Sequence, residues 1–90
     1  IDKFELFQNY PNPFNPSTKI SWQSPVSSWQ TLKVYDVLGN EVAVLVDEYK
    51  SAGMYNVQFT MDNEKQSSGL YFYQLKAGDY FETKKMMYLK

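Results

Sequence analysis

The feature that most constrains this fold is a series of short segments in which apolar and polar residues alternate, separated by turn-forming residues. The clearest segment runs from Gly53 to Thr60, where Tyr55, Val57 and Phe59 alternate with polar side chains. A period of two places every second side chain on the same face of a β-strand. About seven such strands, with turn signals at intervals of about 8–14 residues, are typical of an antiparallel sandwich or a small barrel. We therefore predict an all-β fold with no helix longer than one turn.

The same alternation predicts which side chains form the core. In Gly69–Leu75 both faces are apolar, so the pattern does not determine which face is buried. The segment from Asp47 to Ser51 is polar and is expected to be a loop or a single helical turn. Ten residues are expected in the core: Ile20, Trp22, Leu32, Val34, Val42, Val44, Val57, Phe59, Leu70 and Phe72.

Residues 1–16 form a proline-rich lead-in to the first long strand. Pro11, Pro13 and Pro16 lie within six residues, and proline lacks the N–H that a helix or a central strand requires. We expect a stiff, extended segment with Phe14 as an apolar anchor. It could act as a spacer that protects a sheet edge, or as a recognition segment in polyproline geometry. Residues 1–90 as a whole are expected to form a single domain.

The side-chain chemistry argues against catalysis and metal binding. The chain has no His, Cys or Arg, so imidazole bases, thiolate nucleophiles and most zinc sites are excluded. Calcium needs about six to eight converging oxygen ligands, and neither Asp47-Glu48 nor the stretch from Asp62 to Glu64 has the spacing of a calcium loop. We therefore expect no enzyme activity, no catalytic or metal-binding residues and no cofactor.

Charge and hydropathy exclude two classes of partner. Nine Lys are offset by ten acidic residues, and a net charge of -1 does not provide the basic face that nucleic acids require. No apolar run approaches the roughly 20 residues needed for a membrane-spanning helix, so we expect no membrane insertion.

The chain begins at Ile1 rather than Met, and we expect it to be part of a longer protein. A monomer is expected.

Five sequence blocks resemble one protein family, in order and at the family's spacing. The first is the run Asn-Tyr-Pro-Asn-Pro-Phe-Asn-Pro-Ser-Thr at 9–18, and the others lie at 32–39, 52–53, 68–73 and 83–86, with a final Lys90. Together they are similar to the C-terminal sorting domain of type IX secretion, type A, found in Bacteroidetes and relatives. One departure is Met87, where the family commonly has a β-branched residue or leucine.

This resemblance implies a fold and a function. The fold is an immunoglobulin-like antiparallel β-sandwich of about seven strands. The function is a non-catalytic C-terminal secretion signal, which directs an exported cargo through the outer-membrane type IX translocon. A surface sortase usually then cleaves the signal off. The implied partners are the translocon and sortase proteins and an N-terminal cargo domain, and the implied destination, reached through the periplasm, is the cell surface or the extracellular space.

The resemblance also assigns roles to particular residues. Translocon recognition falls on the last block, at Lys84, Lys85, Met86 and Lys90, where a terminal strand offers a free end to a receptor. The alternative for these lysines is an edge strand protected by charge. Structural roles are expected for ten motif residues: Pro11, Pro13, Phe14, Pro16, Tyr35, Asp36, Gly39, Gly53, Gly69 and Tyr71.

A second functional class fits the composition. The chain contains eight Tyr and two Trp, and exposed aromatic rings can stack on sugars. Trp29 is the best candidate, because it lies in a polar stretch that we interpret as a loop. The alternative hypothesis is therefore an accessory glycan-binding or spacer β-sandwich module of a secreted multidomain hydrolase. A sorting domain must end its native protein at Lys90, whereas a binding module can have chain on both sides.

Overall fold

The computed structural model describes residues 1–90 as two antiparallel sheets, which confirms the all-β sandwich prediction. One sheet has the strand order β1-β2-β5 and the other β4-β3-β6-β7. The fold contains no helix with the length and apolarity needed to cross a bilayer. The seven strands are β1 (Glu5–Leu6), β2 (Ser17–Ser24), β3 (Ser28–Tyr35), β4 (Glu41–Lys50), β5 (Gly53–Thr60), β6 (Gly69–Ala77) and β7 (Tyr80–Tyr88).

The core lies between the two sheets, and the alternation predicted part of it correctly. Among the ten residues expected in the core, Val42 and Val57 are only partly buried but pack against it. The Trp22 indole N–H donates to the Gln30 side-chain oxygen at 2.9 Å, which joins β2 in one sheet to β3 in the other. The predicted core residues that are fully buried are Ile20, Trp22, Leu32, Val34 and Phe59.

Strand β6 buries the face opposite to that of Leu70 and Phe72, the two residues of this strand expected in the core. Tyr71, Tyr73 and Leu75 are buried, whereas Leu70 and Phe72 are half-buried. The reason is the register with β3, in which Leu75 lies opposite Leu32 and Tyr73 opposite Val34. Directly paired residues point to the same side of a sheet, so the buried face of β3 determines that of β6.

The prediction for Val44 was also wrong, because β4 contains irregularities. Val46 pairs with Leu32, but the next pair joins Val44 to Lys33, which leaves Leu45 as an extra residue. A β-bulge of this kind reverses the alternation of faces. Val44 therefore shares the outer face with Lys33 and is 47% exposed.

The polar segment after Val46 is neither a loop nor a helical turn. Strand β4 continues to Lys50, because residues 47–50 pair with residues 28–31 of β3. Trp29, which we placed in a loop, is consequently a strand residue of β3 and lies opposite Tyr49. Polar residues on both strands, among them the buried Gln30, concealed this pairing.

Candidate functional site

The terminal strand β7 forms one edge of the four-stranded sheet, with β6 as its partner along its whole length. Its side chains divide into two sets. Tyr80, Glu82, Lys84, Met86 and Tyr88 face the other sheet and are buried or half-buried. The residues between them, at positions 81, 83, 85 and 87, lie on the outer face and are exposed.

The residues expected to act in recognition do not share one surface. Lys85 is exposed on the outer face, and Lys90 is exposed beyond the end of β7. Lys84 lies on the inner face, where its ammonium is 3.5 Å from a carboxylate oxygen of Glu82. Met86 is only 1% exposed and belongs to the hydrophobic core. In this fold the three lysines are accessible to a partner, whereas the Met86 side chain is not.

The free edge of β7 is partly covered by the lead-in. The Phe14 N–H donates to the Met87 carbonyl, and the Leu89 N–H donates to the Phe14 carbonyl, both at 3.0 Å. The Met87 N–H donates to the Asn12 side-chain oxygen at 2.9 Å, and the Gln8 amide donates to the carbonyl of residue 85 at 2.8 Å. The end of the chain is therefore held by the beginning, which contrasts with the free terminal strand that we expected.

Packing of the lead-in reinforces this contact. Phe14 is 2% exposed, and its ring centroid lies 5.3 Å from that of Tyr88 and 6.2 Å from that of Phe59. Pro11, Pro13 and Pro16 are exposed and follow cis peptide bonds. The segment is thus fixed by its apolar anchor and its backbone, and its prolines face solvent.

Tyr73 connects the lead-in to the core of the four-stranded sheet. Its hydroxyl accepts from the Asn9 N–H and donates to the Phe7 carbonyl, each at 2.8 Å. Burial, together with the nearby charge of Glu82, raises the pKa of Tyr73 to about 12. The phenol therefore stays neutral at physiological pH and keeps both hydrogen bonds.

The edge of β7 has unpaired backbone groups at Phe81 and Thr83. In an antiparallel ladder, alternate residues direct their backbone groups away from the partner strand, and the hydrogen bonds of Met87 to the lead-in place the odd-numbered residues in that set. Backbone groups of Phe81 and Thr83 therefore point outward, and no hydrogen bond outside the strand ladders involves them. We refer to Phe81–Thr83 as the open segment of β7.

Glu82 joins the open segment to β1. Its carboxylate accepts hydrogen bonds from the Tyr80 hydroxyl and from the Leu6 N–H, the latter at 3.3 Å. Burial pushes the pKa of Glu82 upward, but these hydrogen bonds and the charge of Lys84 outweigh it and hold the pKa below its usual value. Burial, with the adjacent carboxylate, raises the pKa of Tyr80 to about 12.

We predict that Glu82→Gln weakens the dependence of stability on pH. Because the pKa of Glu82 is lowered in the folded protein, its ionised form stabilises the fold above the unfolded pKa of about 4.3. That stabilisation is lost as the pH falls through the folded value. Urea unfolding at about pH 7 and about pH 3 should show a smaller difference for Glu82→Gln than for the wild type, by about 1 kcal/mol or less. Glu64→Gln, in an exposed loop, is the control, and equal pH slopes for all three proteins would contradict the prediction.

Other motif residues shape the scaffold at the end of β3. The Asp36 carboxylate accepts from the backbone N–H groups of Asn40 and Leu38 at 2.9 Å each. These bonds, that from Asn40 foremost, lower the pKa of Asp36. Gly39 has φ +86°, a left-handed conformation that disfavours side chains. The pair therefore forms a rigid turn, and half-buried Tyr35 ends β3 immediately before it.

The remaining motif residues lie at the starts of strands. Gly53 and Gly69 are the first residues of β5 and β6. Tyr71 is buried, and its hydroxyl donates to the Ser67 carbonyl at 2.7 Å, which closes the loop before β6. None of these residues lies on the open edge of β7.

Comparison with known proteins identifies one family. A model described as the secretion system C-terminal sorting domain matches residues 8–89. No curated protein and no solved structure shows a significant match. The matched range includes both the segment of the lead-in that covers β7 and β7 itself.

Proposed function

Because this chain belongs to the family of type IX secretion C-terminal sorting domains, we propose that it directs an attached N-terminal cargo through the outer-membrane type IX translocon. The cargo then reaches the cell surface or the extracellular space, where a sortase removes the domain. The family is in general non-catalytic, and we propose that this domain catalyses no reaction itself. The observation that carries the proposal is the family match over nearly the whole chain, residues 8–89.

We place recognition on the accessible part of the chain end. Lys85 and Lys90 are exposed, and Lys84 leaves 30% of its side chain accessible. Beside them, the outward backbone groups of Phe81 and Thr83 carry no hydrogen bond and could pair with a further strand. An extended, acidic segment of the translocon suits both features, since it could pair with the edge and face the ammonium groups.

The lead-in brings the junction with the cargo close to β7. The ring of Phe4 stacks on that of Tyr80, with centroids 4.5 Å apart, at the start of β7. A cargo joined before Ile1 therefore leaves the domain close to the edge that the translocon would bind. A sortase that cuts near this boundary would act beside the docked strand, which would link recognition to removal.

A secretion assay tests the proposal directly. A reporter with a signal peptide and residues 1–90 at its C-terminus is expressed in a type IX-competent host and in an otherwise identical host without the translocon. We expect the reporter at the surface or in the medium of the first host and in the periplasm of the second. The same reporter without the domain should remain in the periplasm of both. A folded, protease-resistant fusion that stays in the periplasm of the competent host would overturn the proposal.

A further inference from the structure

A pair of exposed aromatic residues lies at one end of the outer face of the four-stranded sheet. Trp29 in β3 is 60% exposed, and Tyr49, its direct neighbour in β4, is 61% exposed. The Trp29 indole N–H donates to an Asp47 carboxylate oxygen at 2.7 Å, which restricts the orientation of the ring. An oriented aromatic ring left open to solvent is a feature of a binding surface rather than of core packing.

A shallow groove next to Trp29 contains two lysine side chains. Its lining consists of Trp29, Thr31, Lys33, Lys76 and Gly78. Lys33 is 3.5 Å from a carboxylate oxygen of Glu41, whereas Lys76 takes part in none of the four ion pairs of the chain. Gly78 has φ +61° and contributes no side chain. The groove therefore combines an aromatic face, a hydroxyl group and two ammonium groups, without a bulky residue to close it.

We propose that this groove, hereafter the Trp29 groove, binds an acidic saccharide. A sugar ring would stack on the indole face, and its carboxylate or sulfate would pair with Lys76 and Lys33. A neutral sugar would make no use of the ammonium group of Lys76, which has no carboxylate partner. A single-stranded nucleic acid would also combine stacking and charge, but it requires a basic surface, and this chain carries a net charge of -1 with no Arg.

The Trp29 groove is independent of the proposed secretion function. It is built from β3, β6 and the turn between β6 and β7, and it uses neither the lead-in nor the open edge of β7. Saccharide binding could therefore hold an exported protein at an acidic polysaccharide whether or not the terminal strand serves in export.

Calorimetric titration with matched saccharides tests the inference. The probes are oligogalacturonate and its fully methyl-esterified form, which have the same backbone and differ in charge, and dextran sulfate with neutral dextran. We expect at least one acidic member to bind, its neutral partner not to bind, and affinity to fall with added salt because the contact is ionic. The carboxylate and sulfate pairs distinguish the two possible acidic groups.

Variants locate the binding to the groove. Trp29→Ala should reduce affinity by about tenfold or more, equivalent to about 1.4 kcal/mol, and Lys76→Ala should also weaken it. Tyr10→Ala and Lys19→Ala remove an exposed ring and an exposed lysine elsewhere and should bind as the wild type does. Circular dichroism verifies the fold, and Trp29→Phe, which keeps a ring, should retain part of the affinity. The inference is overturned if neither acidic probe binds, if Trp29→Ala binds normally, or if an oligo-dT probe binds more tightly than both.

Discussion

Replacing Phe14 with alanine is expected to lower the free energy of unfolding by about 3–5 kcal/mol, as for other buried phenylalanines. Phe14 is 2% exposed and packs between residues of both sheets, Phe59 and Tyr88. Its backbone also holds Met87 and Leu89. A domain of this size is stable by only about 5–15 kcal/mol, so the substitution should remove a large share of the total.

Urea unfolding and hydrogen exchange measure this effect. Tyr10→Ala is the matched control, because Tyr10 is an aromatic residue of the same lead-in but is 80% exposed. It should change the unfolding free energy by no more than about 0.5 kcal/mol. In Phe14→Ala the amide of Leu89, which donates to the Phe14 carbonyl, should exchange faster than in the control. A cost below about 1 kcal/mol would mean that the lead-in does not belong to the cooperative fold.

This expectation depends on a contact that the sequence did not reveal. Alternation within a segment identifies strands, but it carries no information on pairing between distant segments. Asn12 and Met87 are 75 positions apart, and their hydrogen bond involves an ordinary asparagine in a proline-rich segment. The clustered prolines correctly excluded this segment from a helix and from a central strand. Its position against β7, however, depends on the assembled sandwich.

The errors in the predicted core have the same origin. In β6 both faces are apolar, so only the pairing of Leu75 with Leu32 decides which face is buried. In β4 the bulge at Leu45 exposes Val44, and a bulge in a run of valines leaves no mark in the sequence. The strands that alternate strictly, such as β2, were predicted correctly because no information from a neighbour was needed.

For the candidate site, the sequence pattern carried no signal that Met86 is buried. The face of β7 that carries Met86 also carries Glu82 and Lys84, and the opposite face carries Phe81 and Met87. Period-two alternation therefore does not decide which face is buried, and the burial of Met86 follows from the assembled sandwich. The family motif alone grouped Met86 with its neighbouring lysines because a motif records adjacency in sequence and not the direction of side chains.

The burial of Met86 changes how the export signal must be tested. Deletion of 86–90 is expected to leave a fused cargo in the periplasm, but it removes Met86 and Tyr88 from the core together with Lys90. A failure of export would then follow from unfolding as readily as from loss of recognition. Point variants that remove either the charges or the core packing separate the two causes.

The triple variant Lys84→Ala, Lys85→Ala, Lys90→Ala should retain most of the reporter in the periplasm while the domain stays folded. These lysines are wholly or partly exposed, and the one ion pair among them, between Lys84 and Glu82, lies near the surface. Loss of such a pair costs about 0–1 kcal/mol. Export should fall because an acidic docking segment would lose its complementary charges.

Two further variants complete the test. Lys19→Ala, Lys33→Ala, Lys65→Ala makes the same change in net charge at accessible positions away from β7 and also removes one ion pair, that of Lys33 with Glu41. This variant should be exported normally. Met86→Ala keeps every lysine but should lower the unfolding free energy by about 2–5 kcal/mol, and its export should fall only to the extent that protease resistance falls.

If the Lys84, Lys85 and Lys90 variant is folded and exported at the normal yield, the charges do not form the signal. Recognition would then lie in the outward backbone groups of Phe81 and Thr83. Thr83→Pro would remove one of these N–H groups and should block export.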